Sequence, residues 1–165
     1  MDVKAGRWAA RADEGTVVFL IGMRINRLRA VKQWWPVFAA MPKMMRELSQ
    51  DPELGLLGAR GLYDPPRGAT MIQYWRSAAD LQAFAGDRDH AHRPAWTEFF
   101  RAAYQSETVG VWHETYVLGG HESVYVNMPA FGLGAAVPLG EAATIGHRAA
   151  DRLSASGRHA ETAGA

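Results

Sequence analysis

Cysteine is absent from this sequence, and so are a long hydrophobic run and a strong net charge. Without cysteine there is neither a disulfide nor thiol catalysis, which suits a reducing compartment and makes the cytoplasm the expected location. No apolar stretch approaches the roughly 20 residues that cross a bilayer. The N-terminal "MDVKAGRWAARADEG" also lacks the apolar core of a secretion signal, so no membrane partner is expected. A formal charge of +1 supplies no field for a nucleic-acid backbone, and "RINRLR" is short enough to be a solvated strand end. Nucleotide and metal motifs are missing too. "FGLGAA" follows no strand-to-helix unit and precedes no ribose-binding acid, so it reads as a turn. No nucleophile elbow, P-loop, metalloprotease helix or zinc spacing is found, and no metal is expected.

What remains is enough for one ordinary core, with 48% of 165 residues hydrophobic. "TVVFLIGMRI" (16–25) is apolar on both faces until Arg24, as a central strand is. Trp34, Phe38, Met41, Met45 and Leu48 follow at spacings of four and three, one stripe of a helix that reads as core. Pro36 and Pro42 inside that run predict a kink or two short helices. "LGLLGARGLYDPP" (54–66) and "ATMIQYWR" (69–76) form a hairpin across a Pro-Pro turn. Ser77 and Asp80 then cap a short helix that buries Leu81 and Phe84 and stops at Gly86. A second helix starts at Pro94 with Trp96, Phe99, Phe100 and Ala103 inward. "VGVWHETYVL" (109–118) closes the series as a strand. Strand, helix, hairpin, helix, strand is the split βαβ order of the ferredoxin-like fold, an α+β class with a four-stranded antiparallel sheet.

Such a sheet carries helices on one face and leaves the other bare, and a second copy packed sheet to sheet would cover it. A homodimer is therefore expected, with a cavity between the sheets lined by polar residues of 109–118. Domain organisation follows: a flexible N-terminus over 1–15, a ferredoxin-like domain over 16–118, an arm over 119–140 that packs on the dimer, and a mobile tail over 141–165. The tail is rich in Ala, Gly, Ser and Arg, with room for a short helix, and its removal should leave thermal stability nearly unchanged.

The blocks "MPKMMRELSQDPELGLLG", "YWRSAADLQAFA", "HAHRPAW", "VGVWHETYVL" and "VYVNMPAFGLG" resemble a family of small bacterial and fungal proteins, formerly of unknown function and now labelled monooxygenase-like. The resemblance covers residues 16–136 and implies a dimeric α+β barrel. Related barrels include cofactor-independent antibiotic-biosynthesis monooxygenases, haem-degrading enzymes and haem-containing aldoxime dehydratases. Fold alone does not choose among these chemistries.

Candidate catalytic residues are His113, Arg24 and Glu114. An imidazole placed mid-strand can take a proton from a phenol or enol, ligate iron, or simply sit hydrogen-bonded in the core. Arg24 would stabilise a substrate anion. Glu114 points to the opposite side from His113, where it would pair with Arg24 or Arg76 or take part in proton transfer. His90 and His92, two residues apart before the second helix, would hold haem if haem is bound, and are otherwise capping or solvated. His121, Glu122 and Tyr125 follow a Gly-Gly break and are expected to pack on a partner subunit, whereas His147 and His159 carry no expectation.

The leading expectation is a small oxidoreductase that oxygenates an aromatic or polyketide-like small molecule and requires no cofactor. A haem enzyme, either an aldoxime dehydratase-like lyase or a haem oxidase with a histidine axial ligand, is the second. A non-catalytic binding module is the third, and its mark would be a closed apolar cavity without a titratable group.

Overall fold

The computed structural model describes residues 2–86 and 107–162. In chain order these form β1 (Lys4–Ala10), β2 (Val17–Ile25), α1 (Val31–Leu48), a 3-10 turn (Pro52–Leu54), β3 (Leu56–Asp64), β4 (Gly68–Trp75) and α2 (Ala78–Gly86). After the undescribed stretch come β5 (Val109–Val117), β6 (Tyr125–Met128), α3 (Leu133–Ala136), β7 (Leu139–Glu141), α4 (Ala142–Ile145) and α5 (Ala149–Thr162). The helix expected from Pro94, with His90 and His92 before it, lies outside the described residues.

The main sheet has the order β3-β4-β2-β5 with every neighbour antiparallel, so the strand read as central is central and the ferredoxin-like order holds. Its two faces differ because side chains alternate. Val17, Phe19, Ile21, Met23 and Ile25 point to the helix side, where all five are buried. They divide into two clusters. Val17, Phe19 and Ile21 pack with Leu48, Trp75 and Leu81, while Met23 and Ile25 pack with Val37 and Val109. Trp75 is completely buried, and its indole nitrogen is satisfied by the Gln73 side chain at 2.9 Å. Truncating such a ring to alanine typically costs about 3–5 kcal/mol.

α1 runs as one helix through Pro36 and Pro42, so of the two expected outcomes the split into two short helices does not occur. Each ring removes a backbone donor. Packing of Val37 and Leu48 into the two clusters ties both halves of the helix to the sheet and outweighs that loss. The capping expectation at α2 is met. Ser77 Oγ accepts from the Asp80 backbone N–H at 3.1 Å and donates to the Asp80 carboxylate at 2.7 Å.

Both chain ends depart from expectation. Residues 4–10 are not structureless: β1 pairs with β6 on one side and β7 on the other, giving a second sheet of order β6-β1-β7. Residues 149–162 form a regular helix, which Arg152 anchors by its buried guanidinium. The short helix that composition allowed here is longer and better anchored than expected, because alanine, poor in apolar area, is the best helix former. The segment 121–125, expected on a partner, is engaged within its own chain. The His121 N–H donates to Ser156 Oγ at 2.9 Å, Glu122 pairs with Arg152, and Tyr125 Oη accepts from the Gly134 N–H at 3.0 Å. α3 lies against β3 on the sheet face opposite α1, so closely that a Cβ at Gly58 would stand 2.9 Å from the Ala136 Cβ. The bare sheet face is thus partly covered by the chain itself.

Candidate active site

An apolar recess on the helix side lies between α1 and β2, β3 and β4. Its inner chamber, about 50 Å³, is lined by Ile21, Val37, Met41, Pro42 and Met71 among others. An outer chamber of about 260 Å³ is lined by Trp34, Trp35, the Pro65–Pro66 turn and Arg67. Met23, Phe38, Tyr63 and Ala69 line both, so the two are continuous along one wall.

Aromatic rings form the mouth. Trp35 stacks on Phe38 with centroids 5.8 Å apart and planes 27° apart, and Tyr63 reaches Phe38 from β3 at 6.2 Å. Trp34 meets Phe38 edge-on at 6.4 Å, and its indole N–H is fixed by the Leu28 carbonyl at 3.0 Å. Trp35 remains 54% exposed and Tyr63 71% exposed. Two large rings left in water on either side of an apolar recess have area to offer a flat ligand. The sequence stripe missed this because Trp35 lies one position off it, about 100° round the helix from Trp34.

Among the described residues, Arg67 is the one charged side chain in the lining of either chamber. It is half-buried, and its Nη1 donates to the carbonyls of Ile25 and Asn26 at 3.0 Å each. Sequence reasoning passed over it as a turn residue after Pro-Pro, and no local signal marks it as inward.

The sequence-predicted residues divide between the two faces of the sheet. His113 is on the helix side, opposite Ile21 of β2, with its ring 5.8 Å from that of Phe19. It is one strand away from the chamber wall and exposed among the described residues. Arg24 and Glu114 are on the other face, Arg24 between Gly68 and Gly110 and Glu114 opposite Leu20. The expected cooperation of His113 as base with Arg24 as anion holder in one cavity is therefore not formed within a chain, because a shift of one residue along a strand reverses the face. Nor, among the described residues, does Glu114 pair with an arginine. It accepts a hydrogen bond from Tyr116 Oη at 2.8 Å, and that bond to the carboxylate holds the phenol above its usual pKa. Arg76 is taken by Asp80 at 3.0 Å, and the carboxyl of Asp80 is held below the ordinary range first by its hydrogen bond from Arg76. Among the described residues no cluster of three metal-ligating side chains occurs, and no helix is long and apolar enough to cross a membrane.

A second recess, about 780 Å³ and open, lies between the end of β1, residues 121–123 and α5. His121 Nε2 stands 3.3 Å from the Ala12 N–H and 3.2 Å from the Ala10 carbonyl there, and the polar groups of Arg152 are consumed by Glu122 and by the carbonyls of Gly146 and His147. These groups serve the fold.

Residues 16–133 match the family model described as Monooxygenase af470-like. No curated protein matches the sequence. Among solved structures, SnoaB, a cofactor-independent oxygenase from Streptomyces nogalater, is similar at 10% identity and a TM-score of 0.46, over 63% of this chain and 93% of that one. The aldoxime dehydratase OxdRE in complex with butyraldoxime is similar at 18% identity and a TM-score of 0.65, over 81% of this chain and 40% of that one. The chain thus spans less than half of the dehydratase, and the likeness is one of fold.

Proposed function

The chain belongs to the monooxygenase af470-like family, and from that premise we propose that it is a small oxidoreductase that oxygenates a flat aromatic or polyketide-like molecule bound between α1 and the sheet. The observation that carries this reading is the aromatic mouth over an apolar chamber. At about 260 Å³ the outer chamber is near the lower end of the ~300–1,000 Å³ usual for small-molecule sites, and the inner chamber extends it. It is neither closed nor free of titratable groups, since Arg67 and Tyr63 line it, which argues against a passive binding module.

The chemistry can be balanced without a bound redox group. A ring methylene flanked by phenol or carbonyl groups is acidic, and loss of its proton leaves a carbanion that can give electrons to dioxygen. One oxygen atom ends in the new carbonyl and the other, with the two methylene hydrogens, leaves as water. His113 shares the sheet face of the chamber but lies one strand outside its lining, so we assign it as the base that takes the proton of a ligand extending past β2 toward β5. The apolar walls hold the ring and keep water from the carbanion. Among the described residues no histidine lines either chamber, and His90 and His92, the haem-ligand candidates, lie outside the described residues, so no step is routed through iron.

A homodimer through the part of the bare face that α3 does not cover completes the proposal. Trp112 and Tyr116 are 38% and 52% exposed there, and a second copy would bury them. The lack of cysteine suits the cytoplasm as its compartment.

The test is oxygen uptake by purified protein with a panel of polycyclic phenols and anthrones, with mass spectrometry of products and an absorption spectrum of the protein as isolated. Product carrying one added oxygen, formed by protein without a Soret band, is the expected result. No uptake across the panel, or activity only with a Soret band present, would sink the reading.

A further inference from the structure

We infer that Arg67 makes the aromatic chamber an anion-selective site, whose ligands are flat aromatic molecules carrying a negatively charged oxygen at the end that meets the Pro65–Pro66 turn. The inference rests on the proposed use of this chamber and adds the chemical class of what enters it.

Three observations lead there. Among the described residues, the lining of both chambers is apolar or uncharged apart from Arg67. Arg67 contributes to the wall of the outer chamber, and a half-buried cation beside apolar surface is stabilised by an anion that meets it. The guanidinium is also held still. Its Nη1 is bonded to the Ile25 and Asn26 carbonyls at the end of β2, while its own backbone N–H donates to Asp64 and its carbonyl accepts from the Ile25 N–H. A guanidinium fixed by one nitrogen presents the rest of its fork with little rotamer entropy left to lose.

The third observation is the lack of compensation. Among the described residues no carboxylate pairs with Arg67; Asp64, the nearest acid in sequence, is beside Gly68 on the opposite face of the hairpin. Arg27 and Glu107 pair with each other in solvent at 3.5 Å. Nη1 serves the fold, and Nε and Nη2 have no protein partner among the described residues. The aromatic wall of Trp35, Phe38 and Tyr63 stands on the same chamber, so one ligand can stack on the rings and reach the charge.

Two isosteric probes test this: 2-naphthoate, an anion, and 2-naphthamide, its neutral counterpart, titrated calorimetrically into the full chain. The anion should bind about tenfold more tightly at low ionic strength, in keeping with one charge-assisted hydrogen-bonded pair. Added salt should weaken the anion and leave the amide unchanged. Arg67→Gln should equalise the two by weakening only the anion, and Arg67→Lys should retain part of the preference. Equal wild-type affinities, or a preference that survives Arg67→Gln, would overturn the inference. Since Arg67 also holds two backbone carbonyls, the glutamine variant can fail to fold; the wild-type comparison at two salt concentrations then decides alone, and a salt-independent result overturns the claim. Trp35→Ala, at an exposed position, should weaken both probes. If it weakens neither, or if neither probe binds wild type, the use of the chamber itself is refuted and the anion claim falls with it; equal binding of both probes overturns the anion claim only.

Discussion

Replacing Arg152 by alanine tests whether the C-terminal helix belongs to the folded body. The Arg152 side chain is 6% exposed, with Nε 2.7 Å from a Glu122 carboxylate oxygen that Nη2 also meets, and with Nη1 donating to the Gly146 and His147 carbonyls at 3.0 Å each. Removing one partner of a fully buried pair costs about 3–5 kcal/mol. Glu122 is 28% exposed, so water recovers part of the loss, and about 2–3 kcal/mol is the expected effect. For a chain of this size that lowers Tm by roughly 5–10 °C if unfolding is two-state. The assay is calorimetry combined with hydrogen exchange, because α5 is tied to residues 121–123 and the second sheet, which can open locally before the main sheet does. Arg152→Lys should recover part of the loss, since the charge remains while the fork is gone. An unchanged Tm together with unchanged exchange in β1 and β7 would refute the anchoring role and restore the expectation of a tail without structural weight. Deleting 141–165 should be worse than the point change, because Glu141 is also the partner of Trp8 in the β1–β7 ladder.

His113→Asn should change stability by less than about 0.5 kcal/mol, as exposed positions do, yet lower oxygen uptake by about 100-fold or more if the imidazole is the base; equal turnover removes His113 from the site. The phenol of Tyr116 should titrate above the ordinary value, its bond to Glu114 persisting below about pH 10 and lost as pH rises through the raised pKa. In Glu114→Gln, an unchanged tyrosinate titration curve would refute that cause. Asp80 acts with the opposite sign: its pairing stabilises above the ordinary carboxylate pKa of about 4 and is lost as pH falls through the lowered one, so Asp80→Asn should flatten the acid limb of the stability profile. A Cβ at Gly22 would stand 2.5 Å from the Trp112 indole, so Gly22→Ala should displace that ring from the bare face and weaken self-association, and an unaltered sedimentation profile would count against a dimer through it.

Local pattern alone determined the main sheet of this protein. The apolar run from Val17 to Met23, ended only by Arg24, reads as a central strand, the Pro-Pro turn closes the hairpin, and alternation in 109–117 assigns His113 and Glu114 to different faces. Those signals are short-range, so they survive without knowledge of the rest of the chain. The faces themselves were not assignable. Whether odd or even residues of β5 meet the helices depends on its register with β2, and that register pairs His113 with Ile21 and leaves Glu114 opposite Leu20. The ends of the chain were hidden for a different reason. β1 has no pattern of its own and becomes a strand only because β6 and β7, more than 110 residues later, supply its partners. Arg152 looks like a solvated charge until Glu122 closes over it from 30 positions away. Arg67 and Trp35 follow the same rule. A turn arginine and an off-stripe tryptophan enter one chamber only after β2, the hairpin and α1 have come together, because a pocket is a property of distant segments in contact and no window of sequence contains it.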